Sequence, residues 1–231
     1  MTDNEIKELI GPFNGETEMP YYRPFTEYQN GVSYKVFLVG INPATAIYPK
    51  QVNDDEFVEM LRDSNIFKEK YHTIRKMNNK TGISRTRMGI ENLTREIETK
   101  GIKILQTNII SLPTPSAKDP LLKRKEILED SLNNFFVLLN KERPRTLILY
   151  SKKTLEYFRG LLVSKGLLDG KIRFNEPLKV MEEREGPLFT FKNTDGSEIS
   201  VFVCRHLRYY GKEGGSYNKF KNNVFKHLGE S

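Results

Sequence analysis

The sequence predicts an α/β protein of three layers (α/β/α) on a central, mostly parallel four-stranded sheet, with a C-terminal β-hairpin. Three observations predict it. Short apolar runs bounded by turn residues recur as VFLVG, IKILQTN, RTLILY and ISVFVC, the pattern of strands covered on both faces. Stretches with helical spacing separate the first three runs, the alternation that parallel sheets require. The fourth run is preceded by a β-rich partner and a turn, Asn193-Thr194-Asp195-Gly196, which reads as a hairpin. No Pro/Gly/Ser-rich linker or compositional break divides the 231 residues, so a single domain over 1–231 is expected.

Taken in order, Val36–Gly40 is the first strand. The segment 54–74 carries Phe57, Leu61 and Ile66 at helical intervals and predicts one helix. A polar, glycine-containing break over 78–89 precedes a second helical stretch around Ile90, Leu93 and Ile97, which Gly101 ends as a C-cap does. The second strand is IKILQTN. After the prolines of SLPTPSAKDP, residues 121–143 repeat apolar positions at helical spacing until Pro144 stops them. RTLILY is the third strand, followed by a helix through Leu155, Phe158 and Leu161. Ile199–Cys204 joins the sheet as the second strand of the hairpin, and a helix over roughly 217–228 closes the chain.

Composition narrows the functional classes. The lone cysteine, Cys204, cannot build a disulfide framework or a Cys-rich metal or iron–sulfur site. The amino end lacks the basic start and apolar core of a signal peptide, and no apolar run approaches transmembrane length. A cytoplasmic protein without membrane contact, metal or cofactor is expected, acting as a monomer. The Asn79 and Asn92 sequons then mark polar surface only. A net charge of +7 suits a polyanionic partner, since clustered Lys and Arg release counterions from a phosphate backbone. A solvated basic face explains the same charge.

Loops leaving the carboxyl ends of parallel strands gather on one edge of a sheet, where ligands bind. Three such loops carry unusual polar residues: Gly40-Ile41-Asn42-Pro43-Ala44, Thr107-Asn108-Ile109-Ile110, and Arg205-His206-Leu207-Arg208-Tyr209-Tyr210. Singly, each has an ordinary explanation as a turn, a local cap or a surface histidine. No G-x-G-x-x-G or P-loop follows any strand, which argues against a nucleotide-dependent Rossmann enzyme.

Together these loops resemble the uracil-DNA glycosylase superfamily. GINPA is similar to the GINPG and GMNPG loops of its mismatch-specific and single-strand-selective branches. TNII before a proline-containing loop resembles its middle strand, and VFVCRHL its final strand ending in histidine; the resemblance runs from about 34 to 228. It implies a DNA glycosylase that removes uracil or another modified base from single- or double-stranded DNA. By that resemblance Asn42 positions the attacking water and His206, neutral, donates to the base oxygen that gathers charge. Asn108 reads the pairing edge of the base, Ile41 lines the base site, and Phe57, preferred over Tyr48, supplies a stacking face. Arg205, Arg208, Tyr209 and Lys212 interleave cations and aromatics suited to a nucleic-acid backbone.

Two departures bear on this expectation. Ala44 stands where the related loops usually have glycine, and its Cβ narrows the room for a base. Leu207 and Arg208 follow His206 where the family commonly inserts Pro-Ser into the duplex, which leaves Leu207 as the candidate apolar wedge. The alternative expectation is a non-catalytic nucleic-acid or nucleotide-binding protein of the same fold, such as a sensor of modified DNA.

Overall fold

The computed structural model describes residues 1–43, 45–77, 79, 83–114, 119–211 and 213–229. Along the described chain the elements run α1 (Asp3–Ile10), β1 (Phe25–Thr26), β2 (Val36–Gly40), α2 (Asp54–Arg62), α3 (Ser64–Met77), α4 (Arg85–Glu98), β3 (Ile104–Asn108), α5 (Lys125–Glu142), β4 (Thr146–Tyr150), α6 (Lys152–Ser164), α7 (Leu178–Glu182), β5 (Phe189–Lys192), β6 (Glu198–Cys204) and α8 (Asn218–Gly229). The sheet is six-stranded and mixed, in the order β1-β3-β2-β4-β6-β5. The α/β class stands, and the expected four-stranded, mostly parallel sheet is corrected. β2–β4 and β4–β6 are parallel, whereas β1 pairs antiparallel with β3 and β5 antiparallel with β6. β1 escapes a sequence reading because two residues, Phe25 and Thr26, are too few to show alternation.

The chain folds into two compact units, neither continuous in sequence. The first comprises 1–32, 40–82 and 105–141; the second 33–39, 83–104 and 142–231. In the first, α1 opens with a capping box between Thr2 and Glu5 and buries Ile6, Leu9 and Ile10. The predicted helix over 54–74 is two helices. Asp63 is extended (φ −113°, ψ 118°), and its carboxylate accepts from the amides of Asn65 (2.7 Å) and Ile66 (3.3 Å), so it caps α3 instead of continuing α2.

In the second unit one face of the strands supplies Val36, Leu38, Ile148, Tyr150, Phe202 and Cys204 to a buried cluster with Leu93 and Ile97 of α4 and Phe220 and Val224 of α8. The alternate positions serve the other face. Phe191 of β5 stands opposite Ile199 of β6, and Phe158 of α6 meets Phe191 edge-on at 5.7 Å. Helices of this unit therefore cover both faces of its strands, because strands apolar at every position would otherwise expose one row to water.

Helix α4 begins at Arg85, capped by the Ser84 hydroxyl (3.1 Å from the Arg87 amide), earlier than the sequence break over 78–89 suggested. Gly89 sits inside it for a steric reason. A Cβ at Gly89 would lie 2.1 Å from the carbonyl oxygen of Leu207 and 3.0 Å from Cβ of Tyr210. Glycine lets the helix backbone touch the turn that follows β6. Gly89→Ala gains about 1 kcal/mol of helix propensity, but overpacking costs about 1–3 kcal/mol, and the clash is with backbone that cannot rotate away. Urea unfolding should show a net loss of stability, where an ordinary helix glycine would show a gain.

Candidate functional site

The first unit builds its polar site by lacing two loops together. Where β2 ends, the carbonyl oxygens of Gly40 and Ile41 accept from the amides of Ile109 and Ile110, each at 2.9 Å, and Pro43 O accepts from Thr114 N at 3.0 Å. Ile109, Ile110 and Leu112 are fully buried, which anchors the second loop under the first. Asn42 is then held by its side chain. Its Nδ2 donates to Thr114 Oγ1 (2.7 Å), Thr114 O (3.2 Å) and Pro43 O (3.2 Å). Two of those partners are carbonyls, which only accept, so the NH2 end of the amide must face them. The carbonyl end, Oδ1, has no hydrogen-bond partner among the described residues.

Asn108, the last residue of β3, is half-buried, and its side-chain amide makes no hydrogen bond among the described residues. Both ends of that amide can address a ligand. Ile41 is half-buried in the same laced segment. Ala44 lies outside the described residues. Just beyond it, Arg23 donates to Thr45 O at 3.4 Å and lies over the Phe67 ring at 5.3 Å. Burial pushes the Tyr71 phenol up, but the Thr45 hydroxyl and the charges of Arg23 and Arg75 bring it below its ordinary value, so this side of the loop is electropositive.

Phe57 is corrected from a stacking face to a core residue. It is 1% exposed and stacks on Tyr21 at 4.6 Å and 15°, while the Tyr21 hydroxyl donates to Asp54 at 2.6 Å. A ring held in this way presents no face to a base. Tyr48, the other aromatic considered, is half-buried with Lys50 Nζ 5.5 Å from its ring.

In the second unit His206 follows β6 and precedes a 3-10 turn over Leu207–Tyr209. Its Nδ1 accepts from the Arg208 amide at 3.2 Å, and its ring meets Tyr150 edge-on at 5.9 Å and 89°. An accepting Nδ1 places the proton of a neutral imidazole on Nε2, which becomes a donor. Burial, and secondarily the Arg208 charge, hold the His206 pKa below 6.5, favouring that neutral form.

The neighbours of His206 divide between surface and core. Tyr209 is 57% exposed, and Arg208, also exposed, lies 4.5 Å over its ring. Leu207 is 0% exposed and belongs to the buried cluster, so the expectation of an apolar wedge is corrected: packing against α4 holds it inside. Arg205 is corrected too. It donates to the buried Glu182 carboxylate (2.8–3.1 Å) and to Ser216 O (2.7 Å), and lies 4.7 Å over Tyr217, an internal ion pair that fixes the strand end. Lys212 lies outside the described residues.

Asn42 and Asn108 thus belong to the first unit, on loops that hydrogen-bond to each other, and His206 to the second. No known protein-family model and no curated protein matches the chain. Among the described residues no helix is long and apolar enough to cross a membrane, and no group of three or more His, Cys, Asp or Glu is placed to hold a metal.

Two partners of the expected site residues were illegible in the sequence. Thr114 orients Asn42 from 72 residues away, and Glu182 arises in α7, a helix of 5 residues too short to show a period. The His206 assignment predicts that nitrogen-15 NMR finds the Nε2–H tautomer and a titration below 6.5. In the unfolded chain the ordinary pKa applies, so the unfolded state takes up a proton first as pH falls. The stability contributed by neutral His206 is complete above 6.5 and is lost as pH falls through that value toward the folded pKa.

Proposed function

We propose that this protein is a DNA glycosylase of the uracil-DNA glycosylase kind, with a three-layer α/β/α arrangement, hydrolysing the N-glycosidic bond of uracil or another modified base and leaving an abasic site. The observation that carries the reading is the state of Asn42. Its NH2 end is fixed by Thr114 and Pro43, which leaves Oδ1 as an acceptor with no partner among the described residues. An acceptor of fixed direction orients a water molecule through one O–H and leaves a lone pair of that water to attack.

An amide is a poor base, so the bond to the base breaks ahead of water attack. The departing base carries away the electron pair of the glycosidic bond, and C1′ of the sugar becomes electron-poor. Water oxygen then bonds to C1′ and its proton passes to solvent. The neutral His206 supplies an Nε2–H donor of the type that stabilises charge gathering on a pyrimidine oxygen. The open amide of Asn108 can donate and accept at once, which matches the pairing edge of a base. Arg208 and Tyr209 are the exposed cation and aromatic available to the backbone of the nucleic acid.

A second reading keeps the fold and removes the reaction: a binding protein for nucleic acid or nucleotides. Burial of Phe57 and Leu207 favours it, since these were the residues expected to hold an extruded base and to fill its place in the stack. Turnover separates the two. Oligonucleotides carrying uracil and other modified bases, single- and double-stranded, should yield free base and alkali-labile sites. Salt-dependent binding with no product across a broad panel would decide for the second reading.

Within the first reading, Asn42→Ala abolishes base release while DNA binding stays near the parent level. Thr114→Val, which keeps the side-chain volume but removes the hydroxyl that fixes Asn42, lowers kcat with little change in KM. His206→Ala lowers kcat by on the order of 10²–10³, the usual effect of removing one donor to a developing anion. Single-turnover assays measure all three, and an undiminished rate in Asn42→Ala removes that residue from the mechanism.

A further inference from the structure

The two side-chain amides at the strand ends of the first unit are held differently. Asn42 has its NH2 end committed to Thr114 and Pro43. Asn108 has a fixed stem and an uncommitted head. On one side of it Thr107 is 2% exposed, pairs with Phe25 across the β1–β3 ladder and donates its hydroxyl to Pro24 O; on the other, the Ile109 amide donates to Gly40 O at 2.9 Å. The main chain is therefore held on both sides, while the half-buried side-chain amide makes no hydrogen bond among the described residues.

The oxygen and the NH2 of an amide are nearly the same size, so its two orientations pack alike and hydrogen-bond partners decide between them. For Asn108 the partner that decides is the ligand. Uracil presents a carbonyl, which accepts, beside an N3–H, which donates; cytosine presents the reverse, an amino group beside a bare N3. An amide locked for one of these edges sets donor against donor and acceptor against acceptor on the other. Sites whose buried polar groups are left unpaired by the wrong ligand reject it by on the order of 10⁴–10⁵. An amide that turns imposes no such penalty.

We infer that Asn108 turns to match the base, so that the site takes cytosine-type as well as uracil-type pairing edges. The inference rests on the glycosylase reading, in which Asn108 faces that edge. Discrimination then moves from recognition to the leaving group. Departing uracil spreads its electron pair over two carbonyls and departing cytosine over one, so uracil leaves faster from an equally occupied site. The two bases differ in kcat and little in KM. In a duplex, pairing protects cytosine further, since a paired base costs more to extrude than a mismatched one.

The test titrates the full chain with uracil and with cytosine at neutral pH, followed by nitrogen-15 NMR of the backbone and of the Asn108 side-chain amide. Both bases should bind saturably, with Kd values within about tenfold of each other. Asn108→Ala should weaken both by comparable factors, roughly tenfold, and leave the stability of the free protein unreduced, because the amide removed makes no hydrogen bond there. Cytosine weaker than uracil by more than about tenfold, a loss confined to uracil in Asn108→Ala, undiminished binding of both bases in that variant, or no saturable binding of either base would each overturn the inference. Release from oligonucleotides judges the glycosylase reading separately. Binding of both bases with no release removes the reaction and leaves Asn108 as a reader of both edges, whereas release of uracil with cytosine excluded from the site removes the inference and leaves the reaction.

Discussion

A side-chain amide is symmetric enough to be useless until something decides which end faces outward. In this protein Thr114 makes that decision for Asn42, through both its hydroxyl and its carbonyl oxygen. The clamp works only because Thr114 is itself positioned by its amide on Pro43 O, and because the amides of Ile109 and Ile110 hold the second loop to Gly40 and Ile41. Each bond is worth about 1 kcal/mol of stability, yet together they leave one amide one orientation. On the glycosylase reading, the role of Asn42 depends on this lacing, since without it either end of the amide could face the ligand.

The second unit solves a similar problem around His206 by burial. The turn after β6 is pressed against α4 at Gly89, and Tyr210 reaches from it to donate to Glu96 at 2.6 Å. Glu96 is also bridged by Lys221 of α8 at 3.0 Å, and the Tyr217 hydroxyl donates to His206 O at 3.1 Å. Gly214 makes room for the Tyr210 ring, since a Cβ there would fall 2.3 Å from it, and its φ of +61° suits glycine as well. The imidazole is thus carried on a segment that these contacts fix, and its partial burial favours the neutral form.

What the sequence made legible follows from which patterns are periodic. Strands β2, β4 and β6 were readable because every position, or nearly every position, is buried, and α5 and α8 because their apolar residues recur over several turns. Asn42, Asn108 and His206 were readable as polar residues at strand ends. The fate of Phe57 and Leu207 was not, because an apolar residue beside a polar loop looks the same whether it serves the core or a ligand; only Tyr21 and α4, distant in sequence, decide it. The break at Asp63 was visible in principle, since Asp before Ser-Asn is a capping signal. It was overridden by an apolar spacing that runs on through both helices. Thr114 and Glu182 had no signal at all, being ordinary residues made important by long-range pairing.

Losing Phe57 and Leu207 to the core also constrains the substrate. Extruding a base from a duplex costs a few kcal/mol, offset in part by filling the gap and stacking the extruded base. With both residues buried and Arg205 tied to Glu182, the described surface beside His206 offers Arg208 and Tyr209. One exposed aromatic on a cation can stack on a base that is already free of its partner, a contact worth about 1–3 kcal/mol. That is comparable to the cost of extrusion with nothing left over for binding. On the glycosylase reading, the physical balance therefore favours nucleic acid that arrives single-stranded or locally unpaired, where extrusion has already been done.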